Sequence, residues 1–368
     1  MDITEAKFPD IASFPCKGCG ASLKYKPGTT QLVCEYCGTT NEIAQEVSAP
    51  IEELDYEKQL SQQPDVQDQI TITAVKCQGC GAMSSVDPKI TATLCPYCAT
   101  PLVVVNASKE SMIKPKSLLP FGLDLPAAQR EFKKWIDKLW FAPSDLQKAV
   151  LQTDHFKGVY LPFWTFDSQT NTDYSGQQGI YYYTTEHYTA TENGKSVSKT
   201  RQVKNTRWTF VSGSVNHFFD DVLICASNSV PRNYVTKLEP WDLQNLVAFN
   251  EKFLSGFICE KYQVTLPQGF DLAREVMAGR IEQLVRSNIG GDEQRITSSH
   301  TRHSDITFKH VLLPVYISAF RFKGKVFRFL VNARTGEVQG ERPWSAAKIA
   351  LAIIFGLVII WIIYSLAN

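Results

Sequence analysis

The sequence lacks the short motifs that mark most nucleotide-binding and hydrolytic enzymes. The phosphate-binding loop Gly-x-x-x-x-Gly-Lys-[Ser/Thr], the Gly-x-Ser-x-Gly elbow, the His-Glu-x-x-His helix and the Gly-x-Gly-x-x-Gly fingerprint are all missing. His300 and His303 would point to opposite faces of a strand, which disfavours a metal pair. Asp220-Asp221 follows two phenylalanines and is typical of a turn rather than of an acid/base dyad. We therefore expect a protein that is not an enzyme.

The sequence also lacks an excess of one charge and an apolar N-terminal run. It has 38 basic and 37 acidic residues, so its net charge of +1 gives no support for a globally basic nucleic-acid binder. The first residues, Met-Asp-Ile-Thr-Glu-Ala-Lys, contain no hydrophobic stretch, and no export signal is predicted. Any cysteines are then expected in a reducing compartment.

Cysteine is abundant, and eight of the ten cysteines form a module that occurs twice, 61 residues apart. The first copy contains Cys16, Cys19, Cys34 and Cys37, and the second contains Cys77, Cys80, Cys95 and Cys98. The copies also share non-ligand residues, namely Gly18/Gly79, Gly20/Gly81, Ala21/Ala82, Pro27/Pro88, Thr30/Thr91, Tyr36/Tyr97 and Thr39/Thr100. Matches beyond the cysteines indicate a duplicated structure.

The Cys-x-x-Cys spacing predicts metal binding. Two such pairs supply four thiolates, which is the closed tetrahedral set of a structural zinc site, and four cysteines leave no position for a catalytic water. We expect two small β zinc ribbons over residues 12–42 and 73–106, each with one structural Zn²⁺. A rubredoxin-like iron site is the competing interpretation, because thiolates alone do not separate the two metals. Cys225 and Cys259 lie in apolar stretches and are predicted to be buried, inert thiols.

Residues 349–367 form an uncharged apolar run that predicts a transmembrane helix. As a helix they span about 28 Å, close to the thickness of a bilayer core. Arg342 and Lys348 lie on the N-terminal side and nothing basic follows, so the bulk of the chain is expected in the cytoplasm. This pattern indicates a single-pass, tail-anchored protein of the cell membrane, with a buried core helix as the alternative.

The rest of the chain is expected to be a multidomain α+β protein. Residues 43–72 form an acidic, solvated linker between the ribbons, and residues 118–344 form a larger α+β body. Helices are predicted over 126–141, 240–263 and 267–289. The first is amphipathic and basic, so it either packs on a sheet or lies on an anionic membrane.

The body carries signs of hairpins and of a weaker duplication. Asn193-Gly194 and Lys323-Gly324 each separate two strand-like runs. Residues 157–164, Lys-Gly-Val-Tyr-Leu-Pro-Phe-Trp, align with residues 309–316, Lys-His-Val-Leu-Leu-Pro-Val-Tyr. We therefore predict two related halves, 118–235 and 236–344.

One hairpin strand has a composition suited to anionic partners. It carries five basic residues and no acid, namely Lys195, Lys199, Arg201, Lys204 and Arg207, opposite a strand rich in tyrosine. Basic and aromatic side chains on one ribbon could bind nucleic acid, anionic lipid or an acidic protein. The alternative is a solvated hairpin whose tyrosines pack against the body.

The layout resembles a bacterial family of zinc-ribbon proteins with a C-terminal membrane span, the YdjG-like group. The resemblance rests on the cysteine pairs, on residues 160–164 and on residues 332–343. Members are often labelled as primosomal helicase-like or TFIIB-type zinc-finger proteins, but this chain lacks the phosphate-binding loop that a helicase needs. The resemblance implies PspA-type phage-shock proteins as partners. We expect a membrane-anchored adaptor that docks proteins in envelope stress, with a membrane-tethered nucleic-acid binder as the alternative.

Overall fold

The computed structural model describes residues 14–44, 51–61, 69–85, 92–103, 108–141, 143, 156–192, 195–322, 325–341 and 344–367. Within these ranges it contains two four-cysteine clusters, a sheet-rich body and one C-terminal apolar helix, so the predicted α+β class is confirmed. The helices are α1 (Tyr56–Ser61), α2 (Leu125–Asp137), α3 (Arg232–Thr236), α4 (Leu266–Ile289) and α5 (Ala346–Ala367).

The N-terminal third consists of short antiparallel strands. The first ribbon contains β1 (Lys24–Tyr25), β2 (Gln31–Val33) and β3 (Thr40–Glu42). After β4 (Leu54–Asp55) come β5 (Gln69–Lys76), β6 (Met83–Ser85), β7 (Ala92–Leu94), β8 (Pro101–Val103) and β9 (Ser108–Ile113), which build the second ribbon and its surroundings. Residues 86–91 lie outside the described residues, and Pro88 and Thr91 lie with them.

The body is organised by three very long strands of 37, 31 and 30 residues. Its elements are β10 (Ser117–Leu118), β11 (Phe156–Glu192), β12 (Lys195–Cys225), β13 (Val247–Ala248), β14 (Ile258–Cys259), β15 (Glu293–Phe322), β16 (Lys325–Asn332) and β17 (Val338–Gly340). The sheet order is β12-β11-β15-β10-β13, with β14 paired to β11 and both β4 and β16 paired to β15. The predicted turn residues 193–194 and 323–324 lie outside the described residues.

Helix α4 covers one face of the long sheet, as its sequence predicts. Gln268 accepts a hydrogen bond from the backbone N–H of Thr265, which helps to start the helix. Apolar residues recur every three or four positions and are buried, from Phe270 to Ile289. They pack in one cluster with Trp164, Phe166 and other aromatic residues of the sheet.

The two aligned segments of the body pair with each other. β11 and β15 are antiparallel, and Leu161 lies opposite Leu313, its counterpart in the alignment. β10 pairs in parallel with β15 at Val311, and β14 pairs in parallel with β11 at Val159, again at matching positions. This register is the one that two halves related by a local twofold axis would have, and the division into halves stays a prediction.

The predicted helix over residues 240–263 is wrong. The segment instead contains 3-10 turns at Leu243–Asn245 and Glu251–Leu254 and the short strands β13 and β14. Asn250 caps the second turn, and Gly256 has a φ of 88°, which ends helical geometry. Backbone pairing with β10 and β11 satisfies groups that a helix would have paired internally.

The structure also bears on the predicted solvated linker and on the amphipathic helix α2. The linker does not extend freely into solvent over its described part. The described part of the linker, 51–61, is held on the body, because β4 pairs with β15 and Glu53 pairs with Lys309 at 3.0 Å. Tyr56 of α1 is buried beside Phe270. α2 packs on the sheet through Phe132 and Ile136, as the first interpretation of that helix predicts.

Candidate metal centres and exposed surfaces

Each half of the first ribbon is a tight turn that presents two sulfurs. The backbone N–H of Gly20 donates to the carbonyl of Cys16 at 2.8 Å, and that of Gly38 donates to Cys34 at 3.0 Å. Both glycines have φ above 70°, where a side chain would be strained. Across the two turns, the Sγ atoms of Cys16 and Cys37 are 3.5 Å apart. Those of Cys19 and Cys34 are 3.4 Å apart.

The second ribbon repeats this geometry. The N–H of Gly81 donates to Cys77 at 2.9 Å, and that of Ala99 donates to Cys95 at 2.9 Å. Ala99 takes the place of Gly38 and adopts a φ of 55°. The sulfur pairs are 3.5 Å apart for Cys77 and Cys98, and 3.6 Å apart for Cys80 and Cys95.

The sulfur geometry suits a four-coordinate metal and excludes disulfides. All four ligand atoms in each cluster lie within 4.8 Å of one another. A zinc ion with four bonds of about 2.3 Å separates its sulfurs by about 3.8 Å, whereas a disulfide joins them at about 2.05 Å. Every cysteine in the two clusters is unbridged. Each cluster could hold one metal ion, and four thiolates with no open position suit structural zinc.

The shared glycine and threonine residues support the ligand sulfurs. A Cβ at Gly79 would lie 2.5 Å from the hydroxyl of Thr100, so only glycine leaves room there. That hydroxyl lies 3.1 Å from the Sγ of Cys98. In the first ribbon Thr39 lies 3.1 Å from Cys37, and this contact is the main cause that lowers the pKa of Cys37 to about 6. The hydrogen bond between Cys80 and Cys95 lowers the pKa of Cys80 to about 5 and raises the pKa of Cys95, as expected where two sulfurs share one proton.

The first ribbon is attached to the body by its hairpin. The N–H of Tyr25 donates to the carbonyl of Ser255 at 3.0 Å, and the N–H of Gly28 donates to Phe121 at 2.8 Å. The Tyr25 ring meets the edge of Phe253 at 5.1 Å between centroids. With the hairpin attached in this way, Cys16 and Cys34 are buried, while Cys19 and Cys37 remain exposed.

The second ribbon is attached through a cysteine turn. Tyr97, between Cys95 and Cys98, donates its hydroxyl to Oε2 of Glu260 at 2.8 Å. Arg328 donates from Nε to the carbonyl oxygen of Tyr97, also at 2.8 Å. An isolated bridge joins Ser84 to Glu260, which adds a backbone attachment beside the side-chain contact.

Glu260 is a buried carboxyl group built to receive this turn. Its side chain is fully enclosed and also accepts hydrogen bonds from Ser229 and, at 2.9 Å, from Gln263. Burial raises the pKa of Glu260 to about 7. The sequence analysis did not find this residue, because a single glutamate in a polar stretch carries no signal of its role.

The equivalent tyrosines therefore have opposite environments. Tyr97 is 0% exposed, whereas Tyr36 of the first ribbon is 83% exposed. Cys19 and Cys37 are exposed as well, while Cys77, Cys95 and Cys98 are buried. The first ribbon thus offers to solvent the same surface that the second ribbon uses to bind the body.

The remaining titratable candidates have structural roles in the described part of the chain. His300 and His303 lie on opposite faces of β15, as predicted, with His303 against Ser168 and Phe270. Asp220 and Asp221 form a β-bulge opposite Asp167 rather than the expected turn. These three aspartates lie close together, but the ammonium of Lys309 already pairs with Asp221 at 2.8 Å.

Cys259 is buried as predicted, whereas Cys225 is partly exposed. Burial raises the pKa of each to about 12. A thiol with so high a pKa is a poor nucleophile, which agrees with their predicted inertness.

The basic hairpin projects beyond the sheet as a two-stranded arm. β15 pairs with β11 only as far as Gly179, so no third strand among the described residues lies beside residues 180–192 and 195–207. At about 3.3 Å per residue the arm reaches about 40 Å. Alternation along β12 places Lys195, Lys199, Arg201 and Arg207 on one face with Tyr182 and Tyr188, and Lys204 on the other.

Arm side chains interact with one another and remain exposed. Tyr182, Tyr183 and Tyr188 are exposed, whereas Tyr181 at the base of the arm donates its hydroxyl to Glu293 of β15 at 2.8 Å. Arg201 pairs with Glu186 at 2.9 Å, and Lys204 lies 3.5 Å from the centre of the Tyr181 ring. The face that carries Arg201 is basic and aromatic, and Arg201 itself is already paired with Glu186.

The C-terminal helix has the properties of a membrane span. α5 contains 22 residues with a mean hydropathy of 2.8, and none of its most apolar window is buried. It is the one helix of such length and composition in the described part of the chain. A soluble core helix would be covered by protein, so exposure favours the membrane interpretation.

Comparison with known proteins gives one informative match. No family model matches the sequence, and no solved structure matches it. The uncharacterized protein YdjG of Bacillus subtilis strain 168 is 25% identical over 251 residues, which cover 65% of this chain and 66% of that protein. The matched region spans slightly less than two thirds of the relative's length. The match agrees with the YdjG-like resemblance of the sequence.

Proposed function

We propose that the protein is a membrane-anchored adaptor that faces the cytoplasm and docks partner proteins through its first zinc ribbon. The observation that carries this proposal is the difference between Tyr97 and Tyr36. The second ribbon binds a protein surface with its Cys-x-Tyr-Cys turn, and the first ribbon exposes the same turn. A module already used for protein docking within the chain is suited to docking between chains.

The internal contact also suggests what a partner would supply. Glu260 accepts from the Tyr97 hydroxyl, and Arg328 donates to the backbone carbonyl of Tyr97. A partner of the first ribbon would therefore present an enclosed carboxylate to Tyr36 and a donor to its carbonyl. Envelope stress proteins of the PspA type are the candidate class, on the family resemblance.

Site-specific photocrosslinking in the native cell tests the adaptor function. A photoreactive phenylalanine at position 36 should give a protein adduct, because the side chain is exposed and its replacement leaves the fold intact. The adduct should disappear when Cys34→Ser removes a metal ligand of the same ribbon. The matched control places the photoreactive residue at position 182 of the arm. An adduct that survives Cys34→Ser, or no adduct at position 36, would refute docking by the ribbon.

The arm supports a second candidate, a membrane-tethered nucleic-acid binder. Its exposed tyrosines could stack on bases while the four basic residues on one face contact phosphates. Lipid of the same membrane suits the arm less well, because α5 and the arm lie toward opposite ends of β11, whose residues 156–192 cover about 120 Å if straight.

Salt-dependent binding separates this candidate from the adaptor. Detergent-solubilised protein should bind single-stranded DNA or RNA with an affinity that falls steeply with salt. Replacing Lys199, Arg201 and Arg207 by alanine should reduce the salt slope by about 2 to 3. Lack of binding at low salt would eliminate the candidate and leave the adaptor function untouched.

A further inference from the structure

The last residues before the membrane helix are tied to a loop of the body. The backbone N–H of Ser345 donates to the carbonyl of Phe141 at 2.8 Å. The rings of Phe141 and Trp344 are 6.3 Å apart. The loop that follows α2 is therefore fixed beside the start of α5.

The Phe141 side chain reaches past the helix start. It lines one open groove with Trp344, Ile349, Ala352 and Ile353. Ile353 lies one turn beyond Ile349, about 6 Å further along the helix axis. When α5 crosses a bilayer, Phe141 consequently lies at the depth of the first turns of the span.

The neighbouring residues suit a membrane interface. Trp140 is 86% exposed and Trp344 is 66% exposed, and tryptophan is the side chain enriched at the boundary between headgroups and acyl chains. The turns before Trp140 expose three lysines, Lys133, Lys134 and Lys138. Lys134 forms an ion pair with Glu131. Basic residues at this level are attracted to anionic headgroups.

We propose that Trp140 and Phe141 form a second membrane contact, which inserts into the headgroup region of an anionic leaflet beside α5. The partner of this surface is the bilayer, because Trp140 and Phe141 lie directly beside the start of the membrane helix α5. The contact adds a second point of attachment to the single helix and thereby orients the body on the membrane. This inference rests on the membrane anchoring of the proposed function.

Tryptophan quenching by brominated lipid tests the contact. The full chain is placed in nanodiscs of phosphatidylglycerol and phosphatidylcholine that carry bromine near the headgroup end of the acyl chains. Of the seven tryptophans, Trp140, Trp344 and Trp361 are expected to be quenched. The Trp140→Phe variant should lower the quenched intensity per molecule by about one third, as for one of three interfacial tryptophans.

Two control variants separate the possible failures. Trp208→Phe removes a tryptophan that stacks on Arg295 in the long sheet, and it should leave the quenched intensity unchanged. Trp361→Phe reports on α5 itself. If Trp361→Phe lowers quenching and Trp140→Phe does not, the second contact is overturned while anchoring stands. If neither lowers it, both the contact and the anchoring of the proposed function are overturned.

Discussion

The two ribbons carry the same ligands, but the body holds them by opposite ends. The first is attached by its hairpin through Tyr25 and Gly28, and two of its four cysteines, Cys19 and Cys37, reach solvent. The second is attached by the turn that contains Tyr97, which is enclosed by Glu260 and Arg328. The same four-cysteine geometry therefore occurs twice, with the equivalent tyrosine buried in one ribbon and exposed in the other.

In a ribbon of this kind, the metal ligands and the surface that attaches it to the body can be different parts of the fold. A metal bound by the four cysteines would hold the turns in shape, and either the hairpin or a turn can then serve as the attachment. The face that remains free is available to a partner. In this chain that face is the one around Tyr36.

Loss of a metal-ligating cysteine should have the largest effect on either ribbon. Cys34→Ser and Cys95→Ser should each reduce bound metal from two ions to one per chain, since a structural zinc contributes about 10 kcal/mol or more to its local fold. Cys95→Ser should lower the melting temperature of the body further, because the turn that begins at Cys95 carries Tyr97 against Glu260, whereas the turn that begins at Cys34 carries the exposed Tyr36. Metal analysis and calorimetry measure both effects. Two bound ions in either variant would contradict the ligand assignment.

The stability of the folded chain should fall as pH rises, because burial of Glu260 disfavours its ionised form. The pKa of Glu260 is raised from 4.5 to about 7, so its protonated form is favoured in the folded state. Its contribution to stability is present below pH 4.5 and is lost as pH rises toward 7, by at most about 3 kcal/mol. The first ribbon has no such contact.

The Glu260→Gln variant provides the control for this pH effect. Urea unfolding between pH 5.5 and 8, where thiolates retain their metal, should give a smaller pH slope for Glu260→Gln than for the natural chain. Equal slopes would mean that Glu260 is not the titrating group.

Removal of the hydroxyl group should destabilise the protein more at Tyr97 than at Tyr36. Tyr97→Phe deprives a buried carboxyl group of a donor and should cost about 1–3 kcal/mol of unfolding free energy. Tyr36→Phe removes an exposed hydroxyl and should cost less than about 0.5 kcal/mol. Chemical denaturation of both variants measures the difference. Equal costs would show that the two turns are not used differently.

A chelator should remove metal first from the ribbon whose cysteines are more exposed, and this loss should change the body least. Cys19 and Cys37 are exposed, so a chelator should take the metal of the first ribbon before that of the second. A colorimetric chelator should therefore record two phases of release. Cys34→Ser should abolish the fast phase alone. A single phase, or loss of the slow phase in that variant, would contradict the ordering.

Local patterns determined much of the fold and the metal sites. The Cys-x-x-Cys pairs and their following glycines predict both clusters, because ligand spacing and turn geometry are local properties. The uncharged run at the C-terminus predicts α5, since length and hydropathy are enough to recognise a span. The periodicity of residues 267–289 likewise predicts α4 to within a residue.

Other features depended on residues distant in the sequence. The apolar residues between 240 and 263 suggest a helix, but they pair as short strands with β10 and β11. The basic hairpin is visible in the sequence, yet its freedom from the body depends on where β15 ends. Tertiary pairing overrides local preference in such segments.

By itself, the sequence determined that this protein has two four-cysteine clusters suited to a metal and one apolar helix long enough to cross a membrane. Only the tertiary structure decided which cysteine turn is buried. The partner of Tyr97 is Glu260, 163 residues away, and no local pattern links them. Ligand geometry is encoded within a few neighbouring residues, whereas the use of a surface depends on what the rest of the chain brings against it.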